Sequence, residues 1–184
     1  MKTVHLMPDW THPGYEGKLF PVWCYTNAKE AELFLNGSSQ GVRRFADTTD
    51  LHLSWDVAYE PGVLEVRARY ADGSVVVDRR ETAGPVVALR RTLIFESDGI
   101  RYFRFDAVDE KGVRVIACED SVTFDADGCE FICAVSGSTT DHTPFTSRTR
   151  RLFRGSIVVA VRGAGLVRHN FQVRKRSSAS DHLH

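Results

Sequence analysis

The chain has 184 residues, 24 Lys and Arg against 24 Asp and Glu, and no formal net charge. A protein that wraps a nucleic-acid backbone needs a cationic excess to release counterions, so no nucleic-acid partner is expected. No run of about 18 apolar residues is present to span a bilayer, so no membrane partner is expected either.

Hydrophobic residues make up 42% and charged residues 26%, ordinary values for a globular chain. The length suits two sandwich domains of roughly 85–95 residues each. Met1-Lys2-Thr3-Val4-His5 holds no apolar signal core, and the compartment stays open between bacterial cytoplasm and export.

In chain order, Trp10 and Tyr15 fall in an irregular lead-in from Pro8 to Gly17 that is rich in Pro and Gly. Val22-Trp23-Cys24-Tyr25 and Ala31-Glu32-Leu33-Phe34-Leu35 read as strands, and Asn36-Gly37 closes the second because both residues tolerate positive φ. Leu51 to Val57 alternates apolar with polar, which places Trp55 on a core face. Leu64 to Tyr70 repeats the pattern, Asp72-Gly73 turns, and Val75-Val76-Val77 returns as the partner. Gly84-Pro85 is the expected break, since Pro disfavours continuing a ladder. Beyond it Arg101 to Val108 alternates with Phe103, Phe105 and Ala107 on one side, and Glu110-Lys111-Gly112 turns. Val113 to Cys118, Ser121 to Phe124, Glu130 to Val135, Gly155 to Val161 and Leu166 to Val173 are the remaining expected strands. Short strands punctuated by Gly, Asp and Pro, with no helical period, predict an all-β fold of two tandem antiparallel, immunoglobulin-like β-sandwiches. The expected division is 1–84, 85–175 and a loose polar tail over 176–184.

Specific residues then become informative. Pro21-Val22-Trp23-Cys24-Tyr25-Thr26-Asn27-Ala28-Lys29-Glu30-Ala31-Glu32-Leu33-Phe34-Leu35-Asn36-Gly37 resembles the signature of a sandwich domain that follows the catalytic barrel in many bacterial family 2 glycoside hydrolases, chiefly β-galactosidases. Trp55 to Gly62 looks like that family's W-x-V-P-Y-x-P-G segment, and Leu6-Met7-Pro8-Asp9-Trp10 is similar to its L-x-P-H-W-N-W opening. Val108-Asp109-Glu110-Lys111-Gly112 and the run His142 to Gly155 resemble two motifs of the immunoglobulin-like domain that ends these enzymes. The chain departs at Ser136-Gly137-Ser138-Thr139-Thr140, where the family has G-N-G-D-P. The resemblance implies an accessory region whose partner is the catalytic barrel of a β-galactosidase-like enzyme.

Retaining glycoside cleavage needs two carboxyl groups about 5–5.5 Å apart, and in that family both sit on a (β/α)₈ barrel of about 250 residues. This chain is too short to hold one, so no catalytic residue is expected. Asp106, Asp109, Glu110, Glu119, Asp120, Asp125 and Asp127 read as solvated turn carboxylates. No cofactor is expected. A zinc reading of Cys129, Cys133 and His142 lacks a second close ligand pair, and on one continuous strand the two thiols would stand about 13 Å apart, too far for a disulfide. Four reduced, mostly buried thiols are the expectation. Arg148, Arg150, Arg151 and Arg154 read as a solvated strand edge or as a hydrogen-bonded brace for the loop through Pro144-Phe145.

Sugar-binding modules stack exposed aromatic rings on pyranose faces. Trp10 and Tyr15 are the candidate ligand-binding residues, the same lead-in being the candidate surface for docking on the barrel. Trp23 reads as core or interface. A carbohydrate-binding module, with carbohydrate as partner, is the first alternative function. An adhesion or scaffold pair of sandwiches is the second. A homo-oligomer is a further candidate assembly.

Overall fold

Alternation in the sequence becomes pleated strands in the structure, a computed structural model in which residues 1–172 are described. Fourteen strands occur among the described residues, with one short 3₁₀ turn at Phe45–Asp47 and no α-helix. Among the described residues no helix is long and apolar enough to cross a membrane. The strands gather into two compact units, the first over Met1–Ala83 and the second beginning at Gly84. The tail expected over 176–184 lies outside the described residues.

The first unit is a sandwich of two antiparallel sheets. One has the order β1-β2-β5, from β1 (Val4–Met7), β2 (Leu19–Thr26) and β5 (Leu53–Ala58). The other has the order β4-β3-β6-β7, from β3 (Glu30–Leu35), β4 (Ser38–Arg44), β6 (Val63–Arg69) and β7 (Val75–Glu81). Their inner faces meet through Val22, Cys24, Leu33, Leu53, Trp55, Val57, Leu64 and Val66, all buried. Trp55 is core as its alternation predicts, and its indole N–H donates to the Gly41 carbonyl at 2.9 Å.

The Asn36-Gly37 turn takes positive φ at both residues, 49° and 82°. Its Asn36 side chain then does a second task. The amide oxygen accepts the Val63 N–H at 2.8 Å, and the amide nitrogen donates to the Pro61 carbonyl at 3.1 Å. That places Asn36 against Gly62, whose φ is 140° and where a Cβ would fall on the Asn36 amide. Gly62 is therefore required twice, by backbone conformation and by space.

The second unit repeats the architecture. Its four-stranded sheet has the order β11-β13-β9-β8, from β8 (Ala88–Ser97), β9 (Ile100–Val108), β11 (Glu130–Val135) and β13 (Ser156–Arg162). Its three-stranded sheet has the order β12-β10-β14, from β10 (Ser121–Asp127), β12 (Thr149–Arg151) and β14 (Leu166–Phe171). Phe103, Phe105, Ala107, Phe124, Ile157, Val159 and Val161 form the core.

The chain is thus all-β, two tandem antiparallel sandwiches, and the local readings differ at identifiable places. Val113 to Cys118 is not a strand. Val115 donates to the Ala107 carbonyl at 2.8 Å, then Cys118 turns back on Val115 at 3.1 Å, and the segment leaves the ladder after one bridge. β1, β4, β8 and β12 carry no alternation strong enough to be read: β4 has one apolar side chain larger than glycine, Val42, and β8 is interrupted by a bulge between Leu93 and Phe95.

Replacing Gly62 by Ala is expected to destabilise the first unit by about 2 kcal/mol. All three tryptophans lie in that unit, so urea unfolding followed by tryptophan fluorescence measures it directly.

Candidate functional site

The lead-in before β2 holds the two residues singled out by sequence, and the structure separates them. Trp10 is 1% exposed. Its ring meets Tyr59 at 5.1 Å and Phe20 at 6.4 Å, both edge-on. Its indole N–H donates to the Glu60 carbonyl at 3.0 Å, and its own carbonyl accepts the Thr82 hydroxyl at 2.6 Å. A ring enclosed in this way offers no face to a sugar, so the ligand-binding reading of Trp10 is corrected to a core residue. The cause is long-range: Tyr59 and Thr82 close over the lead-in from strands far along the chain. Tyr59 is itself buried, and its hydroxyl accepts the His12 N–H at 3.0 Å.

Tyr15 stays outside, 49% exposed. One side of its ring is occupied by the Lys18 ammonium, 4.5 Å from the centroid, and its edge meets Phe20 at 6.0 Å. Next along the chain, Leu19 is exposed as well. The lead-in therefore presents Tyr15 at the rim of an aromatic plug of Trp10, His12, Phe20 and Tyr59, while Leu19 opens β2 on the side of the strand opposite Phe20.

A second aromatic surface lies on the same unit and is not the one that sequence nominated. Pleating sends Val22 and Cys24 inward, so Trp23 and Tyr25 point out of the β1-β2-β5 sheet. They are 38% and 41% exposed. His52 packs between them, 5.3 Å from Trp23 and 5.5 Å from Tyr25. The reading of Trp23 as core is therefore corrected. A strand that is apolar on both faces was the signal in the sequence, because a half-solvated strand alternates with polar residues.

Two of the seven carboxylates expected to be solvated, Asp106 and Asp109, are buried. Asp106 is buried, held by the Ser156 hydroxyl at 2.8 Å and by Arg104 and Arg90 at 2.9 and 3.6 Å. Asp109 is buried too. It accepts three backbone N–H groups, from Gly84 at 2.7 Å, Val113 at 2.8 Å and Lys111 at 3.0 Å. Burial alone would push the Asp109 carboxyl up, but these donors outweigh it and hold it below the usual carboxylate range. Glu119, Asp125 and Asp127 are exposed and pair with Arg151, Arg148 and Arg168.

Arg150 is the brace that the sequence suggested. It is buried beneath the loop, donates to the carbonyls of Ala134 and Thr143, pairs with Asp141 at 3.2 Å and lies over the Phe145 ring at 5.1 Å. Above it a cleft of about 270 Å³ is lined by Ser136, Ser138, Asp141, His142 and Phe153, where the chain departs from the resembled turn. Cys129, Cys133 and His142 do not converge: among the described residues no three His, Cys, Asp or Glu side chains group as a metal site. No two of the four cysteines form a disulfide.

The fold defines the class, a tandem pair of antiparallel β-sandwich domains, and comparison with known proteins gives the family. The model described as glycoside hydrolase family 2 C-terminal domain 5 matches residues 86–179, and one described as a domain of unknown function (DUF4982) matches residues 17–77. The chain belongs to the glycoside hydrolase family 2 C-terminal domains. Beta-galactosidase BoGH2A of Bacteroides ovatus is 36% identical over 173 residues, which is 89% of this chain and 20% of that protein. The crystal structure of a beta-glycosidase from Bacteroides vulgatus superposes with a TM-score of 0.82 at 28% identity, over 92% of this chain and 24% of that one. A family 2 member from Bacteroides cellulosilyticus superposes with a TM-score of 0.79 at 30% identity, over 88% and 24%. The chain thus spans about a fifth to a quarter of the length of these relatives.

Two substitutions test the buried charges. Because Asp109 titrates lower in the folded state than in the unfolded one, its contribution is complete above the unfolded value near 3.9 and is lost as pH falls through the folded value. The second unit is expected to weaken on acidification below about pH 4. Asp109→Asn is expected to cost about 2 kcal/mol at neutral pH and to flatten part of that acid loss, as measured by denaturant melts across pH using circular dichroism. Arg150→Met leaves Asp141 and two carbonyls without their donor and is expected to cost about 3 kcal/mol, with proteolysis first appearing in the loop between β11 and β12.

Proposed function

We propose that this chain is a non-catalytic accessory region of a β-galactosidase-like family 2 glycoside hydrolase. It supports the catalytic barrel and shapes access to the substrate cleft or sets oligomer contacts. The observation that carries this reading is the match of nearly the whole chain to a fifth of a beta-galactosidase. Two features support it. Asp109 is held below the usual carboxylate range by its backbone N–H donors, which leaves it unsuited to giving up a proton as a general acid. The exposed Tyr15 ring stands against a plug of interlocked aromatic rings, with Leu19 exposed nearby in sequence, which suits contact with a neighbouring domain.

The isolated chain is expected to show no hydrolysis of a chromogenic β-galactoside, and turnover by it would end the proposal. In the full-length enzyme, Tyr15→Asp with Leu19→Asp is expected to lower the melting temperature of the barrel or shift the oligomer on size exclusion while leaving the barrel's own carboxyls untouched. Unchanged melting and unchanged assembly would remove the lead-in from the docking role.

A further inference from the structure

The two outward faces of the first unit differ in chemistry. On the β4-β3-β6-β7 sheet the outward face carries ion pairs, Arg44 and Arg69 with Glu30, Arg67 with Glu65, and Arg79 with Glu81, beside exposed Val42, Val75 and Val77. Even Phe34 there is capped by the Arg67 guanidinium at 4.4 Å. On the β1-β2-β5 sheet the outward positions are His5 and Met7, then Leu19, Pro21, Trp23 and Tyr25, then Ser54, Asp56 and Ala58. Asp56 is the one acidic or basic group among them apart from histidine.

We propose that the part of this second face around Trp23 and Tyr25, about 13 Å along β2 from Leu19, is a binding platform for a neutral oligosaccharide chain. Trp23 and Tyr25 are two residues apart on one strand, so their rings stand about 6.6 Å apart along it. That spacing sets two successive stacking positions. Between them, the His52 ring is tilted by 54° to Trp23 and 43° to Tyr25. A tilted imidazole cannot extend the stacking surface of either ring. The register fixes polar groups around the rings: His5 is opposite Tyr25, Ser54 opposite Trp23, and Asp56 opposite Pro21. Stacking rings flanked by hydrogen-bond donors and acceptors match a pyranose, with its apolar C–H face and equatorial hydroxyls. The near absence of charge fits a neutral ligand and disfavours a polyanion. The choice of a sugar over another neutral polyhydroxylated ligand rests on the family 2 placement.

Trp10 and Trp55 are buried and Trp23 is exposed, so tryptophan emission reports the platform. The test titrates the full chain with cellohexaose, xylohexaose and β-1,4-linked galactohexaose, with oligogalacturonate as the charged control, followed by fluorescence and calorimetry. A saturable blue shift with at least one neutral oligosaccharide is expected. Trp23→Ala and Tyr25→Ala are each expected to weaken that binding by about tenfold or more, whereas Tyr25→Phe retains it. Both side chains point away from the core, and matched melting temperatures confirm that the variants fold. No response to any neutral oligosaccharide, equal response to the charged control, or undiminished binding by both Ala variants would overturn the proposal. The support role stands or falls separately, because its test reads the full-length enzyme through Tyr15 and Leu19.

Discussion

Strand alternation in β2 is the constraint on which the first unit turns. Val22 and Cys24 are fully buried and pair with Trp55 and Leu53 across the ladder to β5. A slip of one residue would exchange that inner pair for Trp23 and Tyr25, and the core between the sheets has no room for two large rings there. Packing therefore decides the surface: because the small residues must go in, the aromatics must go out. The remaining elements follow from it. β1 takes its register from β2, the lead-in folds back over Tyr59, and the turn at Asn36-Gly37 seats against Gly62.

In the second unit, charge is used inside the fold. Asp109 ties the start of the unit at Gly84 to the turn through Lys111 and Val113. Asp106 crosslinks β8, β9 and β13 through Arg90, Arg104 and Ser156. Arg150 joins β11, β12 and the intervening loop. Burying such groups is tolerable because each polar partner replaces water. These carboxylates work as fasteners, which is a structural use of residue types that elsewhere in family 2 enzymes do chemistry.

The architecture was legible wherever one face of a strand is dry and the other wet. Leu51 to Val57, Leu64 to Tyr70 and Arg101 to Val108 alternate, and strands with the expected inner faces cover them except for the exposed Leu51 and its neighbour His52, which lie ahead of β5, and Tyr70, which follows β6. Edges were not legible: β4 buries almost nothing, β8 is bulged, and β12 is three residues long. The surfaces were half legible. Trp10 looked exposed because Pro8 to Gly17 has no period, yet its burial depends on Tyr59 and Glu60, about fifty residues away in sequence. Asp106 and Asp109 looked solvated because their partners Ser156 and Gly84 lie 50 and 25 residues away in sequence. Tyr15, by contrast, is exposed as expected, and the platform at Trp23 was announced by apolar residues on both faces of one strand.

The same inward turn of β2 has a chemical corollary at Cys24. Burial, reinforced by the negative Asp78 and only partly opposed by the His5 backbone N–H, pushes its thiol up to about 12. At neutral pH roughly one molecule in a hundred thousand would carry the thiolate. The sulfur at the centre of the sheet therefore behaves as a small hydrocarbon, slow toward oxidants and alkylating reagents alike. A cytosol and an oxidising exterior would leave this core equally intact, so the sandwich can be carried by enzymes destined for either without changing its sequence at that position.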